Sequence, residues 1–467
     1  MKTTNPNPTA AHATSLLASK ALVGLLLGAT AAVAQPRPED KPLPPAPPVH
    51  AEFKFDFGPG KAAAGYTTVQ AEERYATAKG YGFDFGSKPV GVARSDDGFV
   101  TTSESPFFFS VKAPEGNYRI TVTLGDPQGE SDTTIRTESG HLHAVGLKTA
   151  AGKFLTRTFY ANVRRPELPA PPLNAPGGSS VHMFIPGERE MRHWDEKLTL
   201  EFNGPPPEAL AKGGAKAHVA AIEISKDDRV PTIFTAGDST VADPRRGPGG
   251  NWPTQLPQFL KPAVAVCNSA SSGETSKSFL TGERLDKVLS QMKAGDFFLV
   301  QFGHNDSKPQ WPQSYTDPAT NFKAYLGVYL AETKRLGATL VLVTPMERRS
   351  NGDTVGPWAR AMREFAQENN VPLIDQWAMS KETWAALGKD VGTAFADQTH
   401  LSGYGGYLLA KNIVHGIKRS VPALAKFIVD DYQDMDPKKP EAAPAYLQQA
   451  SGPGGRSPTP PEPGTSR

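Results

Sequence analysis

The sequence contains a single cysteine, Cys267, in 467 residues. One thiol excludes an intrachain disulfide and any zinc site built from several cysteines, so packing alone must hold the fold together. Net charge is also scarce, because 50 Lys and Arg residues against 48 Asp and Glu residues leave a formal charge of +2. This balance excludes the strongly basic surface of a typical nucleic-acid-binding protein. Cys267 lies on a candidate core strand, where we expect an inert packing role.

Long apolar runs are absent except near the N-terminus, where residues 21–34 carry no charge. Lys2 and Lys20 precede this run and an Ala-Val-Ala tripeptide closes it, which is the pattern of a secretory signal peptide and its cleavage site. A membrane anchor is the alternative, but the run is shorter than the roughly 20 residues that span a bilayer. We therefore expect residues 1–34 to be a signal peptide and the mature protein to be secreted or periplasmic, without membrane attachment.

Proline is abundant but unevenly distributed. Of the 44 prolines, seven lie within residues 35–49 and eight within residues 436–467. The first segment favours extended polyproline II and cannot pack a core, so we expect a proline-rich linker. The second segment has few large apolar residues and is expected to be a disordered tail. At roughly 100 to 200 residues per domain, the intervening chain predicts two folded domains, residues 50–228 and residues 229–435.

Residues 50–228 contain short runs with β character, separated by turn residues. Apolar and polar residues alternate clearly at 118–124 (YRITVTL) and 198–202 (LTLEF). These runs predict an all-β domain in which two antiparallel sheets form a sandwich, with a barrel as the alternative. His141 and His143 fall on one strand face and could bind a metal, but isolated pairs of this kind are common, and no metal site is predicted.

From residue 229 the pattern changes to short apolar runs that alternate with helical periodicity. Runs without polar alternation, typical of parallel strands buried on both faces, occur at 232–236, 263–267, 296–301, 338–344 and 371–374. Apolar residues at helical spacing over 285–292 and 322–330 predict connecting helices. The second domain is therefore expected to be an α/β/α fold with a five-stranded parallel sheet, whose ligand sites form beyond the carboxyl ends of the strands.

Polar clusters follow four of these predicted strands, at residues 237–240 (GDST), 271–273 (SSG), 303–306 (GHND) and 397–400 (DQTH). Each cluster alone is also compatible with an ordinary turn. Together they supply the groups that acyl transfer needs: Ser239 can act as a nucleophile, and His400 can remove its proton. Asp397, on the same loop, can orient the imidazole and stabilise its protonated form.

A tetrahedral intermediate also needs hydrogen-bond donors for its oxyanion. Candidate donors are the backbone N–H groups of Ser239 and Gly273 and the side-chain amide of Asn305. At Gly273 the missing side chain permits close approach of a substrate. A mechanism of this kind requires neither a metal nor an organic cofactor.

The four clusters, in this order, resemble the blocks of the SGNH or GDSL-type hydrolases, which have a flavodoxin-like α/β/α fold. The segments GDSTVA, QFGHND, VTPMERR and DQTHLSGYG further resemble the rhamnogalacturonan acetylesterase branch, secreted enzymes that remove acetyl groups from pectin. This resemblance covers about residues 231–420. It implies a nucleophile, an oxyanion glycine, an oxyanion asparagine, an orienting acid and a base at Ser239, Gly273, Asn305, Asp397 and His400.

The N-terminal half opens with FKFDFG and closes with AHVAAIEIS, and it resembles the galactose-binding-like jelly rolls that accompany carbohydrate-active enzymes. Such a domain either binds polysaccharide or braces the catalytic domain. Bracing is the favoured interpretation, because no exposed aromatic platform can be identified from the sequence.

The resemblance implies an acetylated polysaccharide as substrate, with acetylated rhamnogalacturonan first. An acetylxylan esterase, a lipase, a thioesterase and a non-catalytic carbohydrate-binding protein remain alternatives, and no oligomeric state is specified. Arg348 and Arg349 either pair with a galacturonate carboxylate or form a solvated basic turn. Trp252 either stacks on a sugar ring or packs in the core. Glu274 stands where relatives usually carry arginine, so we expect it to alter how an anionic sugar is held.

Overall fold

The computed structural model describes residues 52–94, 97–101, 106–169, 179–183, 185, 187–188, 191–244, 250–349 and 352–449. The expected signal peptide and proline-rich linker lie outside these ranges, as does the end of the predicted tail. No helix among the described residues combines the length and the apolar character needed to cross a bilayer.

The N-terminal half folds into two β-sheets. Its strands are β1 (Glu52–Phe57), β2 (Thr67–Val69), β3 (Tyr81–Asp84), β4 (Val90–Arg94), β5 (Asp97–Thr101), β6 (Phe107–Lys112), β7 (Gly116–Asp126), β8 (Ser131–Thr137), β9 (His141–Thr149), β10 (Lys153–Val163), β11 (Lys197–Asn203) and β12 (His218–Lys226). A short helix, α1 (Pro207–Ala211), lies between the last two strands.

The two sheets pack face to face as the predicted sandwich. One has the order β10-β7-β12-β1-β2, with β4 and β5 joined to β12 through β5, and the other has the order β3-β6-β11-β8-β9. The barrel alternative is wrong because the sheets are separate, and β1 with β2 is a parallel pair in an otherwise antiparallel arrangement. Alternation in β7 places Ile120, Val122 and Leu124 in the core, where each is 0% exposed.

The C-terminal half alternates strands and helices. The strands are β13 (Thr232–Gly237), β14 (Ala265–Asn268), β15 (Phe297–Gln301), β16 (Thr339–Val343) and β17 (Leu373–Ile374). The helices are α2 (Trp252–Gln255), α3 (Ser278–Thr281), α4 (Arg284–Gln291), α5 (Asn321–Arg335), α6 (Gly356–Asn369), α7 (Gln376–Leu387), α8 (Gly403–Ser420) and α9 (Pro422–Ala425), with 3₁₀ turns at Leu256–Phe259, Gly388–Ala394 and Ala445–Gln448.

All five strands are parallel, in the order β14-β13-β15-β16-β17. Counted along this half, the order is 2-1-3-4-5, which is the flavodoxin-like arrangement with its ligand crevice at the switch point beside the first strand. Apolar clusters cover both faces of the sheet, and the five strands begin and end within two residues of the predicted runs. The predicted fold is confirmed. Cys267 is fully buried in β14, and burial raises the pKa of its thiol.

The sandwich packs against the edge of the parallel sheet. Strand β10 contacts β14, and β9 contacts the 3₁₀ turn at residues 256–259. At this interface Asn117 Nδ2 donates to Thr232 Oγ1 over 2.8 Å, and Lys287 Nζ lies 2.6 Å from Glu115 Oε1. The edge strand of the parallel sheet is therefore covered by the sandwich instead of facing water.

The predicted disordered tail is wrong for residues 436–449, which we call the C-terminal strap. Tyr446 and Gln449 are each 6% exposed. Gln449 Nε2 donates to Thr134 Oγ1 over 2.8 Å, and its Oε1 accepts from Arg136 Nη2 over 2.8 Å. The sparse apolar composition concealed this order, because the strap is anchored by hydrogen bonds to residues some three hundred positions earlier.

Candidate active site

Ser239 lies on the turn that directly follows β13 and is partly exposed. The turn is tight because Gly237 has no side chain: a Cβ there would lie 2.5 Å from Val241 Cγ2. Asp238 shapes the turn, since its Oδ1 accepts from Thr240 N over 2.9 Å and from Thr240 Oγ1 over 2.8 Å. The serine is therefore presented at the carboxyl edge of the sheet by a turn that a side chain at position 237 would crowd.

His400 and Asp397 lie on a loop between Gly388–Ala394 and helix α8. Ala396 N donates to His400 O over 2.8 Å and closes the loop. His400 Nε2 lies 2.9 Å from Ser239 Oγ, and His400 Nδ1 lies 2.7 Å from Asp397 Oδ2. Because a carboxylate accepts the Nδ1–H bond, Nε2 is left as the acceptor for the serine hydroxyl.

The carboxylate of Asp397 is held in its charged form. Its Oδ1 accepts from the backbone N–H groups of Thr399 and His400 over 2.6 and 2.7 Å. Burial raises the pKa of Asp397, but these hydrogen bonds and the His400 side chain together bring the pKa below its ordinary value. The three side chains predicted to meet therefore form one continuous hydrogen-bonded chain.

The two remaining predicted oxyanion donors lie on turns after the neighbouring strands. Gly273 is exposed in the left-handed region, with φ of +84°, and a Cβ added there would meet no atom within 4 Å. Asn305 is 7% exposed and donates from Nδ2 to Glu274 O over 2.9 Å. That bond uses one of the two amide hydrogens, so the other is free to meet a substrate oxygen.

Lys308 and the pair of Asp238 with His304, whose roles sequence reasoning missed, support this side of the site. Lys308 Nζ donates to Asn305 Oδ1 over 2.7 Å, which orients the amide. Beneath the serine turn, His304 Nδ1 lies 3.3 Å from Asp238 Oδ2, and both side chains are buried. Burial raises the pKa of Asp238, but His304 and Thr240 outweigh it and lower the pKa below its ordinary value. Asp238 and His304 follow β13 and β15, which are neighbouring parallel strands. The order of the strands could therefore have predicted that these two side chains meet.

Trp311 is a further residue that the sequence argument missed. It is 51% exposed on the loop after β15. Lys308 N donates to Asn305 O, and Trp311 N donates to Lys308 O, so two successive turns separate Trp311 from Asn305. At under about 7 Å per turn, the two Cα atoms lie within about 14 Å of each other. A large exposed aromatic side chain therefore lies on the same loop as the candidate oxyanion asparagine.

Of the two positions predicted for Trp252 the structure shows the one in the core, and the expectation for Glu274 is wrong. Trp252 is 0% exposed, and its Nε1 donates to Gln301 Oε1 over 3.1 Å, so its ring packs in the core and cannot stack on a sugar. Glu274 is also 0% exposed, with Oε1 2.9 Å from Arg284 Nε, and cannot contact a sugar. Burial raises the pKa of Glu274 to about 7 against the opposing charge of Arg284.

Arg348 and Arg349 occupy different surroundings. Arg348 Nη2 donates to His304 O over 2.9 Å, and burial lowers the pKa of its guanidinium. Arg349 is exposed, and its backbone N donates to Gln398 O over 3.0 Å, beside the His400 loop. Both arginines line a cavity of about 470 Å³ together with Lys381. Their pairing with a sugar carboxylate stays a prediction.

His141 and His143 do not converge on a common point. His141 Nε2 donates to Asp243 Oδ1 over 3.0 Å, whereas His143 Nε2 lies 2.8 Å from Thr137 Oγ1 and its ring stacks on Phe159. Across the described residues, no group of three or more His, Cys, Asp and Glu side chains could hold a metal ion.

Two family models match separate parts of the chain. Residues 233–413 match the family described as GDSL-like Lipase/Acylhydrolase. Residues 53–138 match the family described as Beta-agarase/YXIM esterase-like, galactose-binding domain-like. The first match contains the serine turn and the His400 loop, and the second lies within the sandwich.

Three curated relatives come from Bacillus subtilis (strain 168). Rhamnogalacturonan acetylesterase RhgT is 32% identical over 210 residues, which are 40% of this chain and 89% of that protein. Probable rhamnogalacturonan acetylesterase YesY is 32% identical over 212 residues, which are 43% of this chain and 98% of that protein. Uncharacterized esterase YxiM is 26% identical over 393 residues, which are 79% of this chain and 91% of that protein. Of these three, YxiM alone is similar over more than half of the chain.

Proposed function

Because the chain belongs to the GDSL-like lipase/acylhydrolase family of esterases, we propose that it removes acetyl groups from acetylated rhamnogalacturonan as a secreted serine esterase. The observation that carries the proposal is the hydrogen-bonded chain from Ser239 Oγ through His400 to Asp397. Relatives named as rhamnogalacturonan acetylesterases support the choice of substrate. The N-terminal signal pattern supports secretion.

The reaction begins with proton transfer from the nucleophile. His400 Nε2 removes the hydroxyl proton while Ser239 Oγ attacks the acetyl carbonyl carbon. Asp397 keeps the imidazole in the tautomer that can accept this proton, and it stabilises the imidazolium that results. The partly exposed position of Ser239 gives a polymeric ester access from solvent.

The negative charge that develops on the carbonyl oxygen is met by fixed donors. These are the backbone N–H groups of Ser239 and Gly273 and Nδ2 of Asn305. Lys308, bonded to Asn305 Oδ1, draws electron density from the amide and makes its remaining N–H a stronger donor. Because these groups are held in place before the substrate arrives, they need no reorganisation during the reaction.

Collapse of the intermediate returns the proton. The imidazolium of His400 protonates the sugar oxygen, the ester bond breaks, and an acetyl group remains on Ser239. Water then attacks the acetyl carbonyl while His400 accepts its proton. The same proton returns to Ser239 Oγ as acetic acid leaves with the second proton of the water, so the enzyme is restored without any cofactor.

The surroundings of the site supply groups suited to an acidic polysaccharide. Arg349 and Lys381 line one cavity beside the His400 loop and can attract a uronate carboxylate. Trp311, two turns after the oxyanion asparagine in the chain, offers an exposed aromatic face on which a sugar ring can stack. Both features concern the parts of the substrate that do not react.

Acetate release from a panel of acetylated polysaccharides tests the proposal. We expect release from rhamnogalacturonan to exceed release from homogalacturonan, xylan and mannan, and the variant Ser239→Ala to abolish it. Preference for xylan would reassign the substrate, and preference for octanoate over acetate esters would indicate a lipase. Full activity of Ser239→Ala would contradict the mechanism. The N-terminus of exported protein, expected at Gln35, tests secretion.

A further inference from the structure

Asp243 has its carboxylate buried at the boundary between the sandwich and the parallel sheet. The residue is 6% exposed. Its Oδ1 accepts from His141 Nε2 over 3.0 Å and from Asn268 Nδ2 over 2.6 Å. Its Oδ2 lies 3.5 Å from His193 Nδ1 and 3.9 Å from Arg164 Nη2. Three of these four partners belong to the sandwich, and the fourth ends strand β14.

The same network holds the turn that carries the nucleophile. Asp243 lies four residues after Ser239, and Asn268 Nδ2 also donates to Val241 O over 2.8 Å. Asn251 Nδ2 donates to Ser239 O over 2.8 Å and so fixes the turn from its other side. A shift of Asp243 would therefore move the backbone that places the serine hydroxyl.

The environment keeps Asp243 charged. Burial raises its pKa, but His141, His193 and Arg164 outweigh burial and lower the pKa to about 2. Burial also lowers the pKa of His193 well below its ordinary value. A buried carboxylate that keeps its charge depends on every partner that surrounds it.

We propose that Asp243 is a positioning residue through which the sandwich fixes the nucleophile turn. The sandwich is then required for full catalytic activity and is not an independent sugar-binding module. His141 on β9, Arg164 after β10 and His193 before β11 reach the turn from three separate segments. This inference rests on the proposed function, because it assigns the positioning to the serine of the same reaction.

An ion pair elsewhere in the same interface provides a matched control. Glu115, on the sandwich, and Lys287, on α4, form an ion pair of 2.6 Å in which the Lys287 side chain is 1% exposed. This pair also joins the two halves, but neither residue contacts the turn from 238 to 243. Loss of this pair therefore measures what general loosening of the interface does to activity.

The test uses the full chain and a small chromogenic acetate ester, so that binding of a polymer plays no part. We expect Asp243→Asn to lower kcat by about 100-fold, because small displacements of a reacting group have effects of this size, while KM changes little. His141→Leu should lower kcat similarly, whereas His141→Gln keeps a donor near the position of Nε2 and should retain most activity. Glu115→Gln should lower the melting temperature and leave kcat unchanged.

Each other outcome counts against the inference. Unchanged kcat in folded Asp243→Asn overturns it, and so does an equal loss of kcat in Glu115→Gln. If Asp243→Asn does not fold, the comparison of His141→Leu with His141→Gln decides, and equal activity of these two variants overturns the proposal. Failure of the proposed function is distinguishable, because the wild type would then show no activity or Ser239→Ala would keep it.

Discussion

Asp238 and Asn305 are 0% and 7% exposed on one side of the active site, whereas the side chains of Asp397 and His400 are 37% and 42% exposed on the other. The buried side is built on turns that directly follow β13 and β15, and buried charged groups support it. The exposed side is a single loop, in which Asp397 bonds to residues two and three positions later. The proposed oxyanion donor Asn305 is thus held next to the sheet, while the proposed base His400 depends on local hydrogen bonds within reach of water.

The largest effect is expected from the exposed side, where one substitution changes the tautomer of the base. Asp397→Asn keeps the shape of the loop but leaves His400 Nδ1 without a carboxylate, so Nε2 loses its role as acceptor. We expect kcat on a small acetate ester to fall by about 10⁴-fold. Steady-state kinetics at neutral pH measure this, and a loss below tenfold would show that Asp397 does not orient the base.

A smaller effect is expected from the buried side. Asn305→Ala removes one oxyanion donor and leaves the backbone donors of Ser239 and Gly273 in place. The expected loss in kcat is about 10² to 10³-fold, with little change in KM, because the donor acts on charge that develops only in the transition state. A rise in KM at constant kcat would instead place Asn305 in substrate binding.

The contribution of Lys308 is expected to be smaller again. Lys308→Met removes the cation that polarises the Asn305 amide, and we expect kcat to fall about tenfold, the scale of one charge-assisted hydrogen bond. Lys277→Met is the matched control, since among the described residues Lys277 Nζ bonds only to the carbonyl oxygen of Gln313, over 3.3 Å. An equal loss of kcat in both variants would show that Lys308 acts only through the overall surface charge.

The smallest effect concerns the rim of the site. Trp311→Ala should raise KM for the acetylated polysaccharide by about 3 to 10-fold, the scale of one aromatic contact. Kinetics on a small acetate ester should not change, because that substrate has no sugar ring to stack. Trp311→Phe keeps a flat ring and should restore part of the affinity. A loss on the small ester would show that Trp311 supports the catalytic loop itself.

Ser239 and Asn305 could be predicted to lie at one edge of the sheet because parallel strands deliver their carboxyl ends there, whereas Asp397 and His400 lie on a loop that follows α7 and a 3₁₀ turn. The strands themselves were predictable, since both faces are buried and the runs are uniformly apolar. The sequence pattern did not reveal which large side chains reach solvent. Trp252 and Trp311 are the same residue type, yet one packs beneath the sheet and the other faces water, because tertiary packing decides their exposure.

The polar contacts between the sandwich and the parallel sheet could not be predicted from the sequence either. His141 was visible only as part of a histidine pair, and its partner Asp243 lies 102 positions later. Nothing local in the chain marks such a contact, because its two halves come from different domains. The burial of Glu274 was not predicted for a related reason. Its ion-pair partner Arg284 lies on helix α4 and not in the motif.

The C-terminal strap joins the helix that follows His400 to the sandwich. Glu441 Oε2 accepts from Tyr407 Oη over 2.5 Å and Oε1 lies 2.8 Å from Lys411 Nζ, both on α8, while Gln449 bonds to the sandwich. In the order of synthesis, these contacts come from the last part of the described chain to leave the ribosome. The strap can therefore fasten α8 to the sandwich only after residue 449 has been synthesised.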